Sequence, residues 1–260
     1  MGVLNVTPDS FSDAGSFFDP EVAVTHALRM ESEGAQIIDV GGESTRPGAQ
    51  AVEAEEELRR VVPVIRGLRA RSQVVISIDT SKAVVAEAAI ESGAEIINDV
   101  TALLGDPGMP EVATKSEAGV VLMHMQGEPR TMQENPTYDD VASEVAEFLR
   151  QRVLGAIGYG MGAERIVIDP GIGFGKKPEH NLALLRTLDS LVQLGRPVLV
   201  GVSRKSFLRW LADAPATADR YWPGVALTSF CREKGALIFR VHEPKPHSDA
   251  LRMTEAICQR

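Results

Sequence analysis

The chain has 260 residues, of which 44% are hydrophobic and 24% charged, and its formal net charge is −9. That length allows one large α/β domain, and the composition is ordinary for a globular protein. The negative charge argues against a surface for nucleic acid or anionic membranes, because both need a cationic footprint. An anionic substrate would need a local basic pocket.

Eight short apolar segments have strand character, and each runs into a polar or charged cluster. In chain order they are residues 2–4, 36–40, 74–78, 95–97, 119–123, 166–168, 198–202 and 237–239. Nearly all of their residues are apolar, as expected when both faces of a parallel sheet are buried.

Segments with helix character alternate with these strands. They are residues 20–33, 54–70, 82–92, 110–117, 139–159, 179–194, 204–212, 223–234 and 246–259. Such alternation indicates βαβ units. Eight strands without a composition break predict a single-domain (β/α)₈ barrel over residues 1–260, a fold of about 250 residues. Because the carboxyl ends of its strands meet at one face, we expect one catalytic mouth there.

Three connections are longer than an ordinary βα loop, at residues 6–19, 41–52 and 124–138. Loops of this kind at a barrel mouth are candidate lids. Plain surface excursions are the alternative. The first two suit a lid better, because each carries polar groups and an aromatic residue or proline that could contact a ligand.

Two glycine-rich stretches resemble nucleotide-binding loops but lack their defining residues. Residues 171–176 end in Lys176, and Lys177 follows where a phosphate loop has Ser or Thr. Residues 158–162 follow a helix and lack the third glycine of a dinucleotide fingerprint. Neither stretch predicts a nucleotide site.

Carboxylates and an amide stand at the strand ends: Asp79, Asn98 and Asp169, with Asp39 as an additional candidate. With one lysine donor, they suit the ring N–H, amine and carbonyl groups of an aminopyrimidinone edge. Alternatively, Asp79 and Asp169 cap the helices that follow. Capping explains a convergence of four groups less well.

A basic set accompanies these groups: Arg46, Arg204, Lys205, Arg240 and His242. Residues 203–206 stand where a strand meets a predicted helix N-terminus, a natural anion site. Arg240 and His242 fall on one side of an extended chain. The set therefore suits a phosphate or diphosphate, although His242 could instead be a satisfied polar residue near the last strand.

The remaining polar features predict little chemistry. The acidic run at residues 53–57 is interpreted as a solvated helix start. The sequence shows no Ser–His–Asp, Cys–His or His-rich zinc pattern. We therefore expect polarisation of a preformed leaving group and no covalent catalysis.

The cellular context follows from weaker signals. Cys231 and Cys258 match no metal-ligand spacing, which favours a reducing cytosol. No apolar stretch approaches the about 20 residues of a membrane span. Strand-like residues follow Met1 directly and leave no room for a signal peptide. We expect a cytoplasmic protein.

Eight motifs in order along the chain resemble those of the dihydropteroate synthases, a family of pterin-binding (β/α)₈ barrels. They are residues 1–13, 38–49, 77–80, 97–100, 122–125, 169–176, 202–207 and 240–242. The resemblance implies a folate-pathway enzyme that joins 6-hydroxymethyl-7,8-dihydropterin diphosphate to p-aminobenzoate. The products would be 7,8-dihydropteroate and diphosphate, Mg²⁺ would assist, and the enzyme would be a homodimer.

The resemblance also implies residue roles. The pterin would be held by Asp79, Asn98, Asp169 and Lys205, with Met123 packed against it. The diphosphate would be bound by Asn5, Thr45, Arg240 and His242, with Asn5 also the Mg²⁺ ligand. The p-aminobenzoate pocket would consist of Phe11, Pro47, Phe174 and Ser206, beside Lys205. The catalytic residues would be Asp13, Arg46 and Lys205.

The chain departs from the family pattern at Ala14, where glycine is usual, and at Glu243, where aspartate is usual. Since no nucleophilic side chain is visible, we expect the C–O bond to diphosphate to break largely before the arylamine attacks. Asp13, on the first loop, would stabilise the resulting cation.

Two other classes stay open from the sequence. The methyltetrahydrofolate-binding barrel of a cobalamin-dependent methyltransferase would share the pterin residues. It has no need for the first-loop and second-loop motifs or for residues 240–242. A non-catalytic pterin-binding module is weaker, because nothing catalytic is visibly missing.

Overall fold

The computed structural model describes residues 1–7, 19–44, 48–128, 130–211 and 220–258. These residues contain eight β-strands: Gly2–Asn5 (β1), Ile37–Gly41 (β2), Val75–Asp79 (β3), Ile96–Asp99 (β4), Gly119–Met123 (β5), Ile166–Asp169 (β6), Leu199–Val200 (β7) and Ile238–Phe239 (β8). Each strand coincides with a predicted segment, and the polar cluster after each segment lies at its carboxyl end.

The strands close into a parallel barrel. Strands β1 to β6 pair in sequence order, and β7 pairs with β8. Parallel bridges from Ile168 to Val198 and from Gly2 to Val241 join the two sheets at both edges. Beside the bridge between Gly2 and Val241, the Val3 N–H donates to the Val241 carbonyl at 2.9 Å. The (β/α)₈ prediction is confirmed, whereas a single domain over the whole chain stays a prediction.

Ten α-helices lie within the described residues: Pro20–Ser32 (α1), Ala54–Arg69 (α2), Ala83–Glu91 (α3), Met109–Lys115 (α4), Val141–Gly158 (α5), Pro178–Arg186 (α6), Leu188–Val192 (α7), Leu208–Leu211 (α8), Tyr221–Glu233 (α9) and Pro244–Cys258 (α10). None of the described helices is long and apolar enough to cross a membrane.

Helix α1 shows how local sequence sets the bounds of an element. Asp19 accepts a hydrogen bond from the Glu21 N–H at 2.9 Å and caps the helix, and Pro20 fills its first position. Gly34 follows with a φ of 103°, a conformation that glycine adopts readily. The chain can therefore turn directly into β2.

Two predicted helices were wrong in detail. The helix expected at 179–194 is interrupted at Thr187, whose hydroxyl donates to the Ala183 carbonyl at 2.9 Å and competes with regular helix. The helix expected from residue 204 begins only at Leu208. Arg204 has a φ of 59°, in the left-handed region, and cannot start a right-handed turn.

Two buried clusters hold the barrel together. One joins the strand residues Ile38, Ile76 and Ile97 to helix residues such as Val24 and Val64. The other fills the region around β6, β7 and β8, where α5, α6 and α7 pack. This rigid frame fixes the strand ends, which are the starting points of the side chains described next.

Candidate active site

A cavity of about 500 Å³ lies at the carboxyl ends of the strands. Seven of the predicted site residues line it: Asn5, Asp79, Phe174, Lys205, Ser206, Arg240 and His242. Three further predicted residues, Asn98, Met123 and Asp169, are almost fully buried next to these strand ends. The remaining predicted residues, Phe11, Asp13, Thr45, Arg46 and Pro47, lie outside the described residues.

Arg240 connects β8 to the carboxylates of β2 and β3. Its Nη1 lies 3.2 Å from Asp79 Oδ2 and 3.4 Å from Asp39 Oδ2. The Asn98 side chain donates to the same Asp39 oxygen at 3.0 Å. Asp39 is 1% exposed, and its Oδ1 has no described partner. Asp39 therefore fixes the orientations of Arg240 and Asn98 from beneath, a supporting position rather than one facing a ligand.

Asp79 combines burial with a partial exposure to the cavity. Its side chain is 15% exposed. Burial and repulsion by Asp39 raise the pKa of Asp79 to about 7, against the opposing attraction of Arg240. Near neutral pH its carboxyl group can therefore hold or release a proton. A ligand that offers an N–H donor would favour the ionised form.

Asp169 ends β6 as a buried acceptor. Its Oδ1 receives the Gly171 N–H at 2.7 Å. Burial raises the pKa of Asp169, while Arg240, that N–H, Lys205 and Lys176 lower it. The capping alternative for Asp79 and Asp169 is wrong, because Lys82 and Lys177 occupy the N-cap positions of α3 and α6.

Lys205 follows β7 and lies over an aromatic ring. Its Nζ is 4.2 Å from the centroid of Phe174, a cation–π distance. Burial and the neighbouring Arg240 lower the pKa of Lys205 to about 7, while Asp169 and Asp79 raise it. The Lys205 ammonium thus lies over the Phe174 ring, and the charges of Asp169 and Asp79 favour its protonated form.

The stretch at residues 171–175 is shaped by close backbone approach. A Cβ on Gly171 would lie 1.9 Å from the His124 carbonyl oxygen, and one on Gly175 would lie 2.3 Å from the Gln126 carbonyl oxygen. Only glycine fits such approaches, and both positions have positive φ. These glycines let the β6 loop pack on the β5 loop and carry Phe174 to the cavity.

An apolar patch completes this side of the cavity. Val100, Met123, Met132 and Phe174 form one buried cluster. Met132 and Phe174 also line the cavity. The cluster offers a surface for a flat ring, with Lys205 and Asp79 close by as polar groups.

The basic residues after β7 and β8 are not arranged as the sequence predicted. The helix N-terminus predicted at residues 203–206 was wrong, because α8 begins later, at Leu208, whereas an anion site at these residues stays a prediction. The residues form a turn there instead, and Arg204 pairs with Glu243. His242 lies with its Nδ1 3.0 Å from the Ser203 hydroxyl. Ser203, which the sequence analysis placed in the anion site, therefore orients a ring that faces the cavity.

Two buried charged groups were missed. Glu57 belongs to the run predicted to be solvated, yet it is fully buried and its Oε2 lies 2.5 Å from Lys82 Nζ. It faces inward because Val61, Val64, Ile65 and Leu68 bury the same side of α2. Lys176 is 3% exposed and contacts His124. Helical spacing could have identified Glu57, but no sequence signal marked Lys176.

Comparisons with known proteins give the family. A model of the pterin binding enzyme family matches residues 1–242. A dihydropteroate synthase of Haemophilus influenzae is 46% identical over 256 residues, 98% of this chain and 92% of that protein.

Solved structures agree. Xanthomonas albilineans dihydropteroate synthase with 4-aminobenzoic acid matches with a TM-score of 0.93 and 46% identity, covering 99% of this chain and 92% of that one. The same enzyme in complex with 7,8-dihydropteroate gives a TM-score of 0.89 at 42% identity, with the same coverages.

The chain therefore belongs to the pterin-binding enzyme family and, within it, to the dihydropteroate synthases. The resemblance predicted from the eight motifs is confirmed, and with it an enzyme of the transferase class. The methyltransferase barrel and the non-catalytic module are set aside, because relatives of this identity and coverage are dihydropteroate synthases.

Proposed function

We propose that the barrel-mouth cavity binds 6-hydroxymethyl-7,8-dihydropterin diphosphate and p-aminobenzoate and joins them into 7,8-dihydropteroate. The observation that carries this proposal is one cavity lined by Asp79, Lys205, Arg240 and His242. It brings groups that suit a pterin edge next to groups that suit a diphosphate. Support also comes from the Xanthomonas albilineans structures with 4-aminobenzoic acid and with 7,8-dihydropteroate.

The pterin is proposed to bind at the carboxylate side. Asp79 and Asp169 accept hydrogen bonds from its ring N–H and amine, and Lys205 donates to a ring acceptor. Asn98 gives one amide hydrogen to Asp39. The side-chain carbonyl oxygen of Asn98 would accept a hydrogen bond from the ligand. Met123 and Phe174 pack against the faces of the ring system.

Mg²⁺ is part of the proposal, with Asn5 as its one protein ligand. Asn5 lines the cavity. No cluster of three His, Cys, Asp or Glu in those residues could hold a metal. A single amide oxygen fits an ion that takes its other ligands from diphosphate and water. When bound, the ion neutralises charge on the diphosphate. Full activity in excess EDTA would contradict its role.

The reaction is proposed to proceed without a covalent enzyme intermediate. The C–O bond breaks and its electron pair leaves with the diphosphate, which Thr45, Arg240 and His242 hold. The arylamine nitrogen then forms the C–N bond and loses its proton to solvent. The aryl ring lies in a pocket of Phe11, Pro47, Phe174 and Ser206.

Asp13, Arg46 and Lys205 are proposed as the catalytic residues of this step. Asp13 would stabilise positive charge that develops on the pterin methylene, and Arg46 would complete the site on the second loop. A group that acts mainly in the transition state affects kcat more than substrate binding. Asp13→Ala should therefore lower kcat far more than it weakens pterin-diphosphate binding, and a normal kcat would remove Asp13 from this role.

A homodimer in the cytosol is proposed as the working form. Trp222 on α9 and Met253 and Ile257 on α10 are 70%, 61% and 73% exposed. A second copy of the chain that covered these side chains would remove apolar surface from water. Light scattering that gives the monomer mass at micromolar concentration would contradict the dimer.

Turnover is tested by incubating the protein with both substrates and Mg²⁺ and measuring diphosphate release together with dihydropteroate formation. We expect equal amounts of the two products and none when p-aminobenzoate is omitted. Diphosphate release that does not depend on p-aminobenzoate would overturn the proposed condensation.

A further inference from the structure

Lys176 is a buried cation outside the cavity, and the proposed mechanism does not use it. It is 3% exposed and lies in the loop between β6 and α6. It does not line the cavity itself. A lysine is rarely buried so fully unless its charge is matched by acceptors or a carboxylate.

Three acceptors surround the ammonium. Lys176 Nζ lies 2.9 Å from His124 Nδ1, 3.3 Å from the His124 carbonyl oxygen and 2.9 Å from the Phe174 carbonyl oxygen. An ammonium has three N–H donors, so these contacts can satisfy all of them. Burial and the nearby Lys176 lower the pKa of His124 to about 3, which leaves its ring neutral and able to accept.

These contacts join two cavity-forming loops. His124 directly follows Met123 at the end of β5, and its own N–H donates to the Asp169 carbonyl at 3.0 Å. Phe174, whose carbonyl accepts from Lys176, also provides the ring over which the Lys205 ammonium lies. The ammonium therefore anchors the backbone behind both the apolar patch and the Lys205 donor.

The charge also acts on Asp169. Burial lowers the pKa of Lys176 to about 7, and the attraction of Asp169 opposes that fall. Reciprocally, the Lys176 charge lowers the pKa of Asp169. The other charged groups that act on this carboxyl are Arg240 from β8 and Lys205 after β7, and the Gly171 N–H donates to it. Removing Lys176 should therefore leave Asp169 harder to ionise.

We propose that Lys176 is a positioning residue for the pterin pocket, one that anchors the β5 and β6 loops to each other and places a positive charge near Asp169. The inference rests on the proposed function of the cavity. It assigns a task to the lysine of the glycine-rich stretch, which failed as a nucleotide motif.

The test compares Lys176→Met with a matched control. Methionine keeps the length of the side chain but removes the charge and the donors. Lys177→Met changes the neighbouring, half-buried lysine, whose side chain has no part in the proposed site. Lys176→Gln keeps N–H donors without a charge and separates anchoring from electrostatics. Thermal unfolding establishes that each variant is folded before kinetics are measured.

We expect Lys176→Met to raise the KM for pterin diphosphate about tenfold with a smaller effect on kcat. The reason is that displacement of the loops after β5 and β6 weakens substrate binding. The acid limb of the pH profile of kcat/KM should move up by about half a pH unit or more, since a lost cation raises the pKa of its carboxylate partner. Lys176→Gln should have a KM between those of Lys176→Met and the unchanged protein, but its acid limb should be shifted as in Lys176→Met. Lys177→Met should have the same KM, kcat and pH profile as the unchanged protein.

Different outcomes would overturn different claims. If Lys176→Met folds but matches Lys177→Met in both KM and pH profile, the positioning role is wrong. If it fails to fold, Lys176→Gln decides the question, and an unshifted acid limb in that variant overturns the electrostatic role. If the unchanged protein itself forms no dihydropteroate, the proposed function has failed rather than this inference.

Discussion

Arg240 contacts two carboxylates at once, and its single charge is shared between them. It lies 3.2 Å from Asp79 and 3.4 Å from Asp39, while Asp39 also receives the Asn98 amide. Asp79 has the less complete set of partners and faces the cavity. The carboxylate that a ligand meets is therefore the one with fewer hydrogen-bond partners of its own.

Asp79→Asn should weaken pterin-diphosphate binding, because it removes a charged acceptor for the ring N–H. The expected loss is about 1.5–3 kcal/mol, which corresponds to roughly tenfold or more in affinity. Calorimetry measures it directly. Asp189→Asn, an exposed change on α7 far from the strand ends, is the control that should leave affinity intact. Unchanged affinity in a folded Asp79→Asn protein would exclude Asp79 from the site.

The same carboxyl should make stability depend on pH. The folded pKa of Asp79 is about 7, whereas its ordinary value is 3.8. Between those values the folded state holds a proton that the unfolded state releases, so stability falls as pH rises through this window. From about pH 5 to about pH 8, the free energy of unfolding of Asp79→Asn should rise by on the order of 1 kcal/mol or more relative to the unchanged protein. A pH-independent difference in urea unfolding would contradict the raised pKa.

Residue positions were predictable where a strand end fixes them. Asp79, Asn98 and Asp169 stand at the ends of their strands, Lys205 lies in the segment after β7, and the barrel brings these strand ends together. Glu57 and Lys176 were missed because burial of a charge depends on what packs over it, and neither Lys82 nor His124 is near its partner in sequence. The positions of Asp13 and Arg46 stay predictions.

At the scale of the element, the arrangement of the loops after β5 and β6 depends on the close approach of their backbones. The loop after β6 passes so close to the loop after β5 that the Lys176 ammonium can reach carbonyl oxygens in both. Gly171 makes that approach possible. Its φ is 64°, and a Cβ there would meet the His124 carbonyl oxygen.

Gly171→Ala should therefore destabilise the fold by about 3 kcal/mol or more, since it adds a backbone overlap to the cost of positive φ. Gly195→Ala is the matched control, because Gly195 has a φ of 72° and open space around its Cβ position. That control should cost only about 1–2 kcal/mol. Urea unfolding of both variants measures the difference, and equal costs would show that the close approach has no energetic weight.

Regular elements were easier to predict than their junctions. Apolar runs bounded by polar clusters identified all eight strands, because a parallel sheet buries both faces. The junction after β7 was not predictable. Residues 204–207 form a turn because Arg204 is left-handed and pairs with Glu243, a contact between distant parts of the chain. Local propensity carries no information about such a pair.

At the scale of the molecule, the proposed sharing of one barrel mouth by both substrates should impose an order of binding. We expect p-aminobenzoate to bind weakly to the empty enzyme and at least about tenfold more tightly when pterin and diphosphate are present, because the second loop completes its pocket only then. Calorimetric titrations with and without pterin and diphosphate compare the two affinities. Equal affinities would contradict an ordered scheme.

The central claim is that the pterin lies at the carboxyl ends of the barrel strands, held by groups from four of them. The most direct measurement is a crystal structure of the protein with 6-hydroxymethyl-7,8-dihydropterin diphosphate. We expect ring N–H and amine groups within hydrogen-bonding distance of Asp79 and Asp169, Lys205 donating to the ring, and the diphosphate beside His242. A pterin bound elsewhere, or bound here with its aminopyrimidinone edge away from both carboxylates, would contradict it.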